Sequence, residues 1–440
     1  MSDVLVIGAG MAGLSAALRL AEANLSVPVL EARNRVGGRI FSERVGGCDV
    51  EMGAEFIHGT PQETLTLLER YGLKHYELDG EQLVYDGKGN LRQQEEDSAA
   101  DESPFTLLDQ MATWSDTHPH RDLSFAEWLA QEQISSNDAA GAIGYVEGFN
   151  AADHRVIGVR GLAMQQRAED EIEGDRLFHV EGGYARLPEA MLDDLQKRGV
   201  EIVFRACVVA VDWSDGAVAV STGEGRAFSA KAAIITLPLA VLQRRSVQWT
   251  PSVEDALHQA DRLRMGSVCR VSLVFKQRWW AERRHPKMSF LFPQNRNSND
   301  GTPRFEVFWT PYPNEQPMIT AWAGGPAALR FADMSQQEIV STAIRNLERA
   351  FGLQPQALDS ELTDARLHPW QEDAFALGAY SYIPSNALDA IEKLTLPLHN
   401  TLFFAGEHTD TTGHWGTVHG AIRSGVRAAK QVISTLRRET

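Results

Sequence analysis

Near its start the chain carries a run that fixes the path of its own backbone. The apolar residues Val4-Leu5-Val6-Ile7 lead into Gly8-Ala9-Gly10-Met11-Ala12-Gly13, a helical stretch over residues 14–23, and a second apolar run over residues 27–30 that ends at Glu31. Strand, glycine turn, helix and strand make a βαβ unit, which demands a parallel sheet. Gly8 permits the tight turn, Gly10 lets the backbone approach a pyrophosphate, and Gly13 lets helix pack on strand. The helix N-terminus offers free amides to phosphate. Glu31 follows Gly13 by 18 residues, where a carboxylate accepts hydrogen bonds from a ribose diol. The unit therefore predicts dinucleotide binding.

Charge and cysteine usage narrow the partners. Lysine plus arginine number 42 against 59 acidic residues, a formal charge of −17, and no basic run offsets it, so nucleic acid is not an expected partner. Cys48, Cys207 and Cys269 stand far apart with no Cys-x-x-Cys pair, so neither a disulfide framework nor a cysteine zinc site is expected, nor any other metal. The early apolar strand leaves no room for a secretory leader, and no apolar stretch approaches the roughly 20 residues that span a membrane. The reading is a soluble, cytoplasmic protein.

Further along, Thr60-Pro61-Gln62-Glu63 predicts a capping box opening a helix that closes near Gly72, and Ser124 with Glu127 repeats the device. Residues 92–102 are acidic and polar, expected as a surface loop. Strands are expected over 200–204, 208–213, 217–221 and 233–237, then 268–275, 305–309 and 319–323. The last unit returns to the opening theme, with a strand over 401–405, a loop through Trp415, and a helix over 417–436.

Taken together, the ordered motifs resemble the flavin-dependent amine oxidase family of monoamine oxidases, polyamine oxidases and histone lysine demethylases. They include Glu31-Ala32-Arg33, Gly37-Gly38-Arg39, the segment from Glu51 to Gly59, Thr236-Leu237-Pro238, Trp370, Gly378-Ala379-Tyr380-Ser381, Gly406-Glu407-His408-Thr409 and Thr417-Val418-His419-Gly420-Ala421. The resemblance implies FAD, with Arg33 and Arg39 meeting the pyrophosphate, Val208 touching the adenine through its backbone, and Trp370 packing near the flavin. It also implies contacts from Gly38, Gly53, Ala54, Glu55, Phe56, Gly406 and Glu407. Thr417 and Val418 would present the last helix's positive end to the charge of reduced flavin. No second Gly-x-Gly-x-x-Gly occurs in a strand–turn–helix setting, so electrons are expected from a substrate rather than from NADPH.

Three positions depart from that pattern or refine it. Ala379 stands where monoamine oxidases carry the cysteine that links the flavin, so noncovalent FAD follows. Tyr380 matches the first tyrosine of an aromatic cage, and Thr417 replaces the second. In Met265-Gly266-Ser267-Val268-Cys269-Arg270-Val271, Arg270 occupies the place of the family lysine, which holds water against the flavin. Strand alternation puts Arg270 with Val268, Ser272 and Val274 on one face, and Cys269, Val271, Leu273 and Phe275 on the other. Arginine does not deprotonate, so it can place a water and supply charge but cannot act as a base. His58 is read as a group that binds or deprotonates a cationic amine, and segment 53–59 holds no arginine for an amino-acid carboxylate.

The expected architecture is α/β: a Rossmann-like FAD-binding domain from residues 1–58, 178–245 and 396–440, with an inserted α+β substrate domain of residues 59–177 and 246–395 that includes a helical subdomain. The leading function is oxidation of an aliphatic amine or polyamine to an imine, hydrolysed to aldehyde, with molecular oxygen reduced to hydrogen peroxide. A flavin desaturase or dehydrogenase of a non-amine substrate and a non-catalytic flavin-stabilised module are the alternatives. The oligomeric state is not legible.

Overall fold

The computed structural model describes residues 1–85, 91–93, 104–293 and 301–437. Five strands run parallel in one sheet, in the order Ile202–Val203, Val29–Leu30, Ser2–Ile7, Ala227–Ile235, Leu402–Phe404. Val4, Leu5 and Val6 are fully buried, as a continuous apolar run must be when both sheet faces are covered. The second strand is only Val29–Leu30: the Pro28 carbonyl accepts from the Val6 amide at 3.1 Å, but Pro28 has no amide to give in return. The helix begins at Met11, earlier than expected, with Gly10 as its N-cap. It packs against the final helix, Val418–Leu436. A Cβ on Gly425 would sit 2.0 Å from the Ala12 carbonyl oxygen, so the close crossing needs glycine there.

An antiparallel ribbon, Val208–Ser214 with Ala217–Thr222, extends this sheet. So does Gln248–Thr250, which pairs with Val208–Ser214. Beyond the expected boundary at 245, Val253, Leu257 and Leu263 belong to the same hydrophobic core, as do Ile383, Ile391 and Leu394 before 396.

A second sheet of seven strands carries Val268–Phe275 between Leu362–Arg366 and Met318–Gly324. The alternation holds: Cys269, Val271, Leu273 and Phe275 enter one core, while Val268 and Val274 enter clusters on the other face. Four helices, Pro104–Thr117, Phe125–Gln131, Ala140–Asn150 and Val159–Asp170, build a separate cluster around Trp128 and Met111. Ser124 and Glu127 form the expected capping box, each side chain meeting the other's amide at 3.2 and 2.8 Å, a device worth about 1 kcal/mol.

The box at Thr60 does not form. The helix is Gln62–Arg70 with Pro61 as N-cap and no side-chain cap. Thr60 donates to the Ile172 carbonyl, and Glu63 accepts from Arg423 of the final helix at 2.8 Å, so a long-range ion pair takes the carboxylate the local motif would use. Leu91–Gln93 is a strand, so the expected loop does not begin at Arg92; its remaining residues, 94–102, lie outside the described chain. All three cysteines are free, and no helix among the described residues is long and apolar enough to cross a membrane.

Candidate active site

The glycine turn is built by three different constraints. Gly8 has φ +107°, a conformation side chains rarely adopt. A Cβ on Gly13 would lie 1.9 Å from the Gly8 carbonyl oxygen, whereas one on Gly10 would meet nothing within 4 Å and would project into open space. Gly10 is therefore bare toward the cavity, while Gly13 serves helix packing and does not line it. The first helical turn carries no acid and no side-chain cap, so its amides remain open to an anion. Glu31, 6% exposed, accepts from the Ala9 amide at 2.7 Å and the Arg33 amide at 2.8 Å. It braces the turn as well as closing it.

From this turn a cavity of about 1970 Å³ runs between the two sheets. Gly8, Gly10, Glu31, Arg33, Gly38, Arg39, Gly53, Ala54, Glu55, Phe56, His58, Val208, Arg270, Trp370, Tyr380, Gly406, Glu407, Thr417 and Val418 all line it. Residues scattered over the chain thus converge on one space. Trp370 is fixed by its indole N–H donating to the Met52 carbonyl at 2.7 Å. The Tyr380 hydroxyl donates to the Phe149 carbonyl at 2.6 Å, and burial pushes that phenol up. Arg39 meets Glu407 and the Ala379 carbonyl, both at 2.8 Å. Burial opposes charge on Glu407, but Arg39, His408 and the Ser381 hydroxyl outweigh it and hold its carboxyl below the usual range.

The Arg33 guanidinium lines the cavity and is gripped bidentately by Asp373 at 2.6 and 2.9 Å. The Thr417 hydroxyl accepts from the Gly420 amide and donates to the His414 carbonyl, so it works as the N-cap of the final helix rather than as a free cage group. No acid occupies that helix's first turn, which leaves its positive end on the cavity wall uncompensated.

Arg270 lines the cavity with its charge paired. It is 6% exposed and donates to the Gly53 carbonyl at 2.6 Å and to Glu55 Oε2 at 2.5 Å. Glu55 Oε1 accepts from the Trp309 indole at 3.0 Å and lies 3.2 Å from His179 Nε2, while Tyr76 meets His179 Nδ1 at 3.2 Å. The guanidinium stacks near Trp309 at 5.7 Å, and its Nε has no partner. The Glu55 side chain is thus committed to Arg270, Trp309 and His179. His179 and Trp309, 124 and 254 positions from Glu55, are members of the site that no local motif marked.

His58 lies edge-on to Phe149 at 5.3 Å, with Nδ1 buried and unpartnered. Burial pulls its pKa down to about 4, so the ring is neutral at physiological pH. A neutral ring can hydrogen-bond an ammonium without repelling it.

The chain's residues 11–433 match the family model of flavin-containing amine oxidoreductases, and the chain belongs to that family. It is 27% identical to polyamine oxidase 3 of Oryza sativa subsp. japonica over 463 residues, covering 98% of this chain and 88% of that protein. It is also 27% identical to lysine-specific histone demethylase 1 homolog 3 of Arabidopsis thaliana, but spans only 30% of that protein's length. A putrescine oxidase solved with putrescine bound superposes with TM-score 0.84 at 21% identity, over 98% of this chain and 99% of that one. The architecture is that of the flavin amine oxidases, and FAD is the cofactor. The open face at Gly10, the Glu31 carboxylate and the length of the cavity fit an extended dinucleotide.

Of the three cysteines only Cys207 touches the cavity, beside Val208 and Ala206, whose amide meets the Glu31 carbonyl at 2.8 Å. That is the part of the cavity where Glu31 stands. Acid precipitation is therefore expected to leave all yellow colour in the supernatant, and colour held in the pellet would mean a covalent link.

Proposed function

We propose that this protein oxidises aliphatic diamines or polyamines to imines, which water hydrolyses to aldehydes, with oxygen reduced to hydrogen peroxide. The observation that carries the reading is the sign of the charge on the cavity wall. Asp109, Glu169, Asp170 and Asp175 line it together with Glu173, which is itself paired with Arg176. Of the arginines on the same wall, Arg33, Arg39 and Arg270 are each paired with a carboxylate, and Arg92 is the fourth. Burial and the neighbouring Asp109 and Asp175 push the Asp170 carboxyl up, the mark of like charges waiting for a cation. An amino-acid carboxylate would meet repulsion there.

When bound, FAD supplies the hydride acceptor and passes the electrons on to oxygen. The residues of this chain do the rest. Tyr380 and Phe149 wall the amine path, neutral His58 offers a hydrogen bond to its nitrogen, and the uncompensated end of the final helix favours negative charge beside it. Glu169, with its carboxyl pushed up to about 7 chiefly by burial, is suited to a second, distant ammonium. Its carboxyl is neutral below that pH and charged above it. The KM for a diamine is expected to fall as pH rises through about 7, and Glu169→Gln to raise it about tenfold there while leaving a monoamine unaffected. Equal effects on both substrates would take Glu169 out of recognition.

One observation favours a second reading. Because Glu55 already neutralises Arg270, the group in the lysine's place is not a free cation, which suits a dehydrogenase that passes electrons to an acceptor other than oxygen. Peroxide detection across an amine panel separates the two. Reduction by amine with peroxide supports the oxidase, and reduction without it supports the dehydrogenase.

A further inference from the structure

Two buried histidines stand behind the cavity with no part in the chemistry so far. His419, 3% exposed, lines the cavity from the start of the final helix, and its Nε2 lies 3.0 Å from Nδ1 of His414, itself 2% exposed. The rings meet at 71° with centroids 4.7 Å apart. Pairing through Nε2 leaves Nδ1 as the second ring nitrogen of a residue that lines the cavity. The geometry is enforced, because a Cβ on Gly420 would lie 2.0 Å from the His414 carbonyl oxygen.

Behind the pair is a surface hollow of about 850 Å³ lined by Glu63, Thr412 and Arg423. Asp410 Oδ1 ties its rim to the pair, accepting from both the Thr412 and the His414 amides at 2.8 and 3.0 Å. Arg423 and His58 face His419; Arg423, Asp410, Glu63 and Glu171 face His414. Burial, helped by Arg423 and opposed at His414 by Asp410, Glu63 and Glu171, holds both rings below the ordinary histidine range, so both are neutral and each keeps one N–H and one lone pair.

We infer that His419 and His414 form a two-ring relay that carries one proton between the substrate cavity and the surface at Glu63 and Arg423. The inference rests on the proposed amine oxidase reading, whose proton balance it completes. An alkylammonium has a pKa near 10 and must lose an N–H proton before its carbon can give up hydride. That proton bonds to His419 Nδ1, the His419 Nε2–H bond breaks as His414 Nδ1 takes that proton, and the His414 Nε2 proton passes to water. The amine carbon then gives up hydride and becomes an iminium. When oxygen takes those two electrons and the hydride's proton, it needs one more proton to become hydrogen peroxide. Return of that proton along the same path restores both tautomers.

The test uses His419→Gln and His414→Asn in the FAD-loaded protein, since a glutamine amide keeps a donor at the Nε2 position and an asparagine oxygen keeps an acceptor at the Nδ1 position, yet neither passes a proton. Anaerobic rapid mixing with putrescine and a pH-indicator dye should show proton release slowed about 100-fold in both. FAD content and melting temperature should be unchanged, and added imidazole should restore the rate. Wild-type release rates in the variants would overturn the relay. Nitrogen NMR of the free protein needs no turnover: His419 must carry its proton on Nε2, and a proton on Nδ1 instead would also overturn it. Failure of wild type to be reduced by any amine would sink the oxidase reading itself, a different result from equal reduction in wild type and variants.

Discussion

Glu31→Ala is expected to weaken FAD binding by roughly two orders of magnitude. The carboxylate already holds the Ala9 and Arg33 amides, so its removal loosens the turn that shapes the site and deletes the carboxylate that the family resemblance assigns to the ribose. Charge-assisted hydrogen bonds contribute about 1.5 to 3 kcal/mol each, and about 3 kcal/mol of lost binding corresponds to somewhat more than 100-fold. Glu31→Gln retains one acceptor oxygen and should fall between the two. Titration of stripped protein with FAD, followed by flavin fluorescence, measures this directly; an unchanged dissociation constant for Glu31→Ala would remove Glu31 from the cofactor.

Glu55→Ala should cost more in stability than any other single change at the cavity. It strands the Arg270 guanidinium, 6% exposed, with only the Gly53 carbonyl as partner. Removing one member of a buried pair costs about 3 to 5 kcal/mol, whereas replacing both members by apolar groups is often neutral. The double variant Glu55→Leu with Arg270→Met should therefore recover most of the loss in denaturant unfolding of the FAD-loaded protein. If Arg270 also serves oxygen chemistry, the refolded double variant should be reoxidised by oxygen more slowly than wild type while amine reduction changes less. Full stability in Glu55→Ala would mean that the pair is not as tight as its 2.5 Å contact.

The sequence carried the parts of the fold whose signal is local. Val4 to Ile7, the glycine turn and Val268–Phe275 are written in unbroken or alternating apolar patterns, and each appears where that pattern puts it. Thr60-Pro61-Gln62-Glu63 is equally local, yet the box fails, because Arg423, 360 positions away, claims Glu63. The site divides in the same way. Backbone positions such as Gly10 and Gly38 are legible since only shape is asked of them, while charged side chains are decided by partners brought in by the fold. Arg33 goes to Asp373 and Arg270 to Glu55, 340 and 215 positions distant. Glu169 and Gln165 sit on an ordinary amphipathic helix, and nothing in their spacing marks them as part of a cavity wall.

The central claim, that this chain is an FAD-dependent amine oxidoreductase selective for cationic aliphatic amines, is tested most directly by anaerobic spectral titration of the yellow protein with putrescine, followed by admission of air. The account predicts stoichiometric bleaching of the flavin by the diamine, and on aeration return of the oxidised spectrum with one hydrogen peroxide per flavin. A spectrum unchanged by putrescine and by every other aliphatic amine at millimolar concentration would contradict it.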